Sequence, residues 1–141
     1  MKQSIIMLIL FAILSAGCQA PEKMVLLDEP ISEVNVSKSD GFGGMNEEIL
    51  YSFQDKESLT RFEDAITSAV RQPGKADISD PEYDVMVEYQ PEGEFPAHGI
   101  HLWLGGENER STFMYIGDDA VYLTSPAHTE KLRELLIEEK K

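Results

Sequence analysis

Residues 98–106 read HGIHLWLGG and hold two of the three histidines and the sole tryptophan of the chain. The preceding Tyr83-Asp84-Val85-Met86-Val87-Glu88-Tyr89 supplies two carboxylates at alternate positions. An imidazole beside a carboxylate is the pairing a general base requires, because the carboxylate holds one ring nitrogen and leaves the other to take a proton. His101 with Asp84 or Glu88 therefore defines a hydrolase alternative. The group such a base would activate is missing from the sequence. There is no G-x-S-x-G turn, and the only cysteine, Cys18, stands in a context that commits it elsewhere.

Metal chemistry fares no better. Side chains alternate across a strand, so His98 and His101 fall on opposite faces and cannot ligate one ion together. A zinc site would want further histidines or cysteines, and only His128 remains. Asp77, Asp80, Glu82 and Asp84 crowd a proline-containing loop that would suit a weak calcium site, without the spacing of an EF-hand. No metal or dissociable cofactor is expected. The same alternation gives a different use for this stretch. Ile100, Leu102 and Leu104 share one face and His101 and Trp103 the other, so a binding surface of His101, Trp103, Met86, Asp84 and Glu88 is expected on the side the leucines do not use. The competing reading has Trp103 covered by the N-terminal tether or by a loop.

These residues need strands, and the chain supplies them. ISEVNVSKS alternates, and Glu48 to Phe53 looks like its returning strand across the glycine-rich SDGFGGMN. That loop lacks the Lys-Ser/Thr of a phosphate-binding loop. From Lys56 to Arg71 an apolar stripe of Leu59, Phe62, Ile66, Ala69 and Val70 predicts a helix capped by Asp55. Strands follow at Tyr83–Tyr89, Ile100–Leu104, Thr112–Ile116 and Ala120–Thr124, with Gly117-Asp118-Asp119 as a turn. Ser125-Pro126 opens a last helix that buries Leu132, Leu135 and Leu136. The order β-β-α-β-β-β-β-α with short connections predicts a single α+β domain. Its mainly antiparallel twisted sheet has five or six strands, with both helices packed on one face.

The N-terminus gives an address. Lys2 precedes an apolar and small-residue stretch from Ile5 to Gly17, too short for the ~20 residues that span a bilayer, and typical of a secretion signal. Leu14-Ser15-Ala16-Gly17-Cys18 resembles the lipobox of bacterial lipoproteins. Residues 1–17 are thus expected to be a cleaved leader, and 18–30 a lipidated cysteine and tether. Met24 to Leu27 has the option of docking on the domain, which spans residues 31–141, or of adding an edge strand to it. The lipid on Cys18, diacylglycerol with or without an N-acyl chain, supplies the two-chain anchoring that a single chain cannot. The resulting location is the extracytoplasmic face of the cell membrane.

With 26 acidic against 12 basic residues, the chain carries a formal charge of −14, which excludes nucleic acid as a partner. A protein or cell-wall component of the envelope is the expected partner class. The lipobox, the Gly43-Gly44-Met45-Asn46 loop, Pro81-Glu82-Tyr83-Asp84 and His101-Leu102-Trp103-Leu104 together resemble the small YhfM-like lipoproteins of Bacillus and relatives. The resemblance covers about Ile31 to Leu136. It implies an exported, membrane-tethered α+β domain and brings no catalytic residues with it. A non-enzymatic binding or accessory lipoprotein is the leading expectation. The envelope hydrolase and a weak calcium-binding surface protein are the alternatives.

Overall fold

A computed structural model describes residues 20–74, 78–91 and 93–137. Cys18 and the leader lie outside the described residues, as does Asp77. The elements are β1 (Ile31–Lys38), β2 (Ile49–Phe53), α1 (Lys56–Ser68), β3 (Val70–Arg71), β4 (Tyr83–Tyr89), β5 (His98–Trp103), β6 (Thr112–Tyr115), β7 (Tyr122–Leu123) and α2 (Pro126–Leu136). All strands join one sheet in the order β2-β1-β4-β5-β6-β7-β3, and every pairing is antiparallel.

The α+β architecture is as expected, with seven strands in place of five or six. The additional strand is β3. Its residues complete the apolar stripe of α1 and so read as helix in the sequence. Instead Ala69 turns extended, with φ −67° and ψ 133°, and Val70 and Arg71 pair with Leu123 and Tyr122. Two residues carry no periodicity of their own, so pairing with β7 overrides local preference.

Val34, Val36, Val85, Val87, Ile100, Leu102 and Phe113 line one face of the sheet and are buried together with Phe62, Ala65, Ile66, Leu132, Leu135 and Leu136 of the helices. Both helices thus cover the same face. Asp55 caps α1 by accepting the Ser58 N–H, and Ser125 caps α2 ahead of Pro126. Arg61 ties the helices together, bonding Glu57 within α1 and Glu134 of α2 at 2.9 and 2.7 Å.

The segment before β1 also belongs to this layer. Glu22 accepts the Arg71 N–H, and the Met24 N–H donates to Ala69 O at 2.9 Å, with Lys23 bridging Val70 at the edge of β3. Met24 is buried in the core. The Val25 N–H donates to the Tyr115 hydroxyl at 2.8 Å, and that hydroxyl donates to Val25 O. The Leu27 N–H reaches the Tyr89 hydroxyl at 3.3 Å. Residues 22–27 therefore form a strap across the helix face, the docking option of the tether.

Candidate functional site

The opposite face of the sheet carries the polar residues. Register aligns Ser37 with Asp84, Asp84 with His101 and His101 with Met114, a row across β1, β4, β5 and β6. Facing side chains in such a row lie within contact distance. His101 Nδ1 and Asp84 Oδ1 are 2.7 Å apart, with the residues 1% and 0% exposed. Asp84 Oδ2 accepts the Asn46 backbone N–H at 2.9 Å. With both carboxylate oxygens committed, the second imidazole nitrogen, Nε2, is buried without a hydrogen-bond partner among the described residues. An orphan of this kind costs about 1–3 kcal/mol.

What covers the pair is the glycine-rich connection between β1 and β2, and not the strap. The Ser37 hydroxyl donates to Asn46 O at 2.6 Å, and the Asn46 side-chain amide donates to Lys38 O at 2.8 Å. These bonds fold the loop down onto the sheet. At its tip Phe42 stands edge-on to His101 with ring centres 5.8 Å apart, and lies tilted on Trp103 at 5.9 Å. Phe42 remains 51% exposed. Trp103 is half-buried, and its indole N–H donates to Ser79 O at 2.9 Å.

Placement of the expected binding residues is therefore uneven. Trp103 reaches the surface, while Met86 and Glu88 are half-buried. His101 and Asp84 need correction as exposed residues, because with the loop in this position they are 1% and 0% exposed. Of the two carboxylates weighed for His101, Asp84 is its partner. Glu88 instead receives Asn35 Nδ2 at 3.4 Å. Gly99, opposite Met86, is where Ile116 presses on the sheet, since a Cβ there would lie 3.1 Å from Ile116 Cδ1. Phe42 and Asn46 were missed by sequence reasoning. A lone aromatic between glycines, with no packing role in a turn, was the available signal for the first.

His98 lies on the other face, as alternation requires. Its Nδ1 is 2.6 Å from the Tyr89 hydroxyl, and the Tyr115 ring lies tilted against it with centres 5.9 Å apart. Burial lowers its pKa, and burial raises those of Tyr89 and Tyr115. The acidic loop is dispersed too. Asp80 and Glu82 are exposed, and Asp84 is drawn inward to His101, so a shared calcium seat is not assembled from them. No group of three or more His, Cys, Asp or Glu side chains among the described residues is placed to hold a metal. Shallow hollows of 570 and 580 Å³ lie on the flank of α1 and beside Pro30 and Pro91, and neither touches His101.

Fold and site together define a small all-antiparallel α+β domain with a helix-covered face and a loop-covered face. The chain belongs to the YhfM protein family, whose model matches residues 31–141. Among solved structures it is similar to a thioesterase-like protein from Clostridium sporogenes, with a TM-score of 0.59 and 16% identity over 80% of this chain and 98% of that one. Identity that low extends the likeness to the fold alone. A search of curated proteins gave no match. No helix among the described residues is long and apolar enough to cross a membrane.

Proposed function

We propose that this protein is a lipid-anchored, non-enzymatic binding module of the extracytoplasmic membrane surface, engaging an envelope protein or cell-wall component through Phe42 and Trp103. The observation that carries the reading is the exposed Phe42 ring seated on Trp103, with Ile49 53% exposed on the same sheet face opposite Ser37. Large apolar side chains grouped at a surface mark interaction sites, and tryptophan is a favoured anchor. Anchoring through Cys18 supports the arrangement. The strap leaves the domain at the β3 edge, and Glu22 is only four chain steps from Cys18, a reach of about 14 Å. β2, with Ile49, is the opposite edge of the sheet, six strand spacings or roughly 29 Å away. Ile49 would thus lie far from the lipid, with Trp103 on β5 about half as far along the sheet, three strand spacings from the β3 edge.

The test is crosslinking of the full chain in its own membrane, with mass spectrometry of Cys18. Phe42→Ala and Trp103→Ala should abolish the crosslinked adduct, and Phe42→Ala should leave the melting temperature nearly unchanged. An unacylated Cys18, or an adduct indifferent to both substitutions, refutes the reading. The hydrolase alternative retains one observation, the 2.7 Å Asp84–His101 pair. It requires ester or thioester cleavage that His101→Ala removes, and it fails if the wild-type protein shows none.

A further inference from the structure

We propose that Gly41–Gly44 is a lid and that raising it opens a seat for a lysine or arginine side chain of the partner protein. In that seat His101 Nε2 is the hydrogen-bond acceptor, and the Phe42 and Trp103 rings are the walls. The inference rests on the binding role above and names the chemistry the partner must present.

The lid has a fastened stem and a free tip. The Ser39 N–H donates to Glu82 O at 3.0 Å, and Asn46 is bound to Asp84, Ser37 and Lys38. Between them Gly41 bonds only to Ser39, and no hydrogen bond to a described residue holds Phe42, Gly43 or Gly44. The tip touches the sheet through the Phe42 ring. Gly41 and Gly43 have φ of +111° and +101°, in the region glycine enters freely. Nothing lies within 4 Å of a Cβ built at Gly41, Gly43 or Gly44, so the tip has room to swing.

What lies beneath decides the ligand. In the tautomer that donates Nδ1–H to the Asp84 carboxylate, Nε2 carries the lone pair and accepts from an entering donor. Asp84 places a carboxylate directly behind the ring, and its hydrogen-bond partners are the imidazole and the Asn46 N–H. An ammonium or guanidinium group offsets that buried charge, which a neutral donor does not. Aromatic faces favour cations in the same way. Residues 38–48 carry Asp40, Glu47 and Glu48 against Lys38 alone, and Glu82 adjoins them at the lid's stem. This rim repels anions and draws a basic partner.

Trp103 is the sole tryptophan, so its emission reports on this seat alone. The full chain is titrated with N-acetyl-lysine methylamide, the arginine analogue and the norleucine analogue, which keeps the apolar stem without the charge. Expected are saturable shifts of Trp103 emission and of the His101 Nε2 nitrogen resonance with the two basic probes, and affinity at least about tenfold weaker for norleucine. His101→Phe should lower lysine affinity by a similar factor. If that variant does not fold, the wild-type Nε2 resonance carries the test. Equal binding of norleucine, a lysine response that leaves Nε2 unmoved, or no response to any probe overturns the proposal. Crosslinking through Phe42 is read separately, so the binding role can survive the loss of its basic ligand.

Discussion

Two residues separate His98 from His101, and the pleat gives them different chemistry. His98 sits against Tyr89 and Tyr115 on the helix side, where burial lowers its pKa. The unfolded chain then binds a proton more readily than the folded one. Stability should therefore be full above the ordinary histidine pKa of about 6.5 and fall as pH drops through it toward the lowered native value. Melting temperatures of wild type and His98→Gln, compared between neutral and mildly acidic pH, should diverge in the acid direction, with the wild type losing more. His101 is held by Asp84, whose other oxygen holds the lid's stem. Asp84→Ala removes the partner of buried His101 and of the half-buried Asn46 N–H and should cost about 3–5 kcal/mol in urea unfolding. The alternation of β4 and β5 offered Asp84 or Glu88 as the partner of His101, and the strand register selected Asp84. That the pair would be sealed was not legible, because the seal comes from Phe42, which is 59 residues from His101 along the chain.

At the scale of elements, the helices follow from caps and stripes that lie within a few residues of each other. Asp55 and Ser125 start α1 and α2 as read, and Phe62 and Ile66 face the core as read. Ser125→Ala should lower stability by about 1 kcal/mol. A buried network joins α2 to the β5–β6 connection: the Ser111 N–H donates to Thr129 Oγ1 at 2.7 Å, and the Ser111 hydroxyl donates to Leu104 O at 2.6 Å. Thr129→Val keeps the shape and removes the acceptor. The expected loss is about 1–3 kcal/mol by denaturant unfolding, larger than for the cap. No sequence pattern announced this network, since Ser111 and Thr129 meet only when α2 folds back over the sheet. β3 escaped notice for the related reason that its two residues extend an existing stripe.

For the whole molecule, the strap joins the segment before β1 to the core. Met24 is 2% exposed, and its segment spans the helix face from Ala69 to Tyr89. A chain beginning at Asp28 should be less stable than one beginning at Ala20 by about 2–5 kcal/mol, the range for emptying a buried methionine site. The lone cysteine at Cys18 leaves no disulfide to compensate. By itself the sequence determined the α+β class, the antiparallel order of strands and helices, and which residues share a face. All of these follow from periods of 2.0 and 3.6 residues and from caps, which are local properties of the chain. Only the tertiary structure decided which face is open. Covering a sheet is a contest between distant segments for the same apolar area, and the strap took the helix side while the glycine-rich loop took the side of His101. That outcome buried His101 against Asp84 with Nε2 lacking a partner among the described residues, and left Phe42 and Trp103 at the surface of that face.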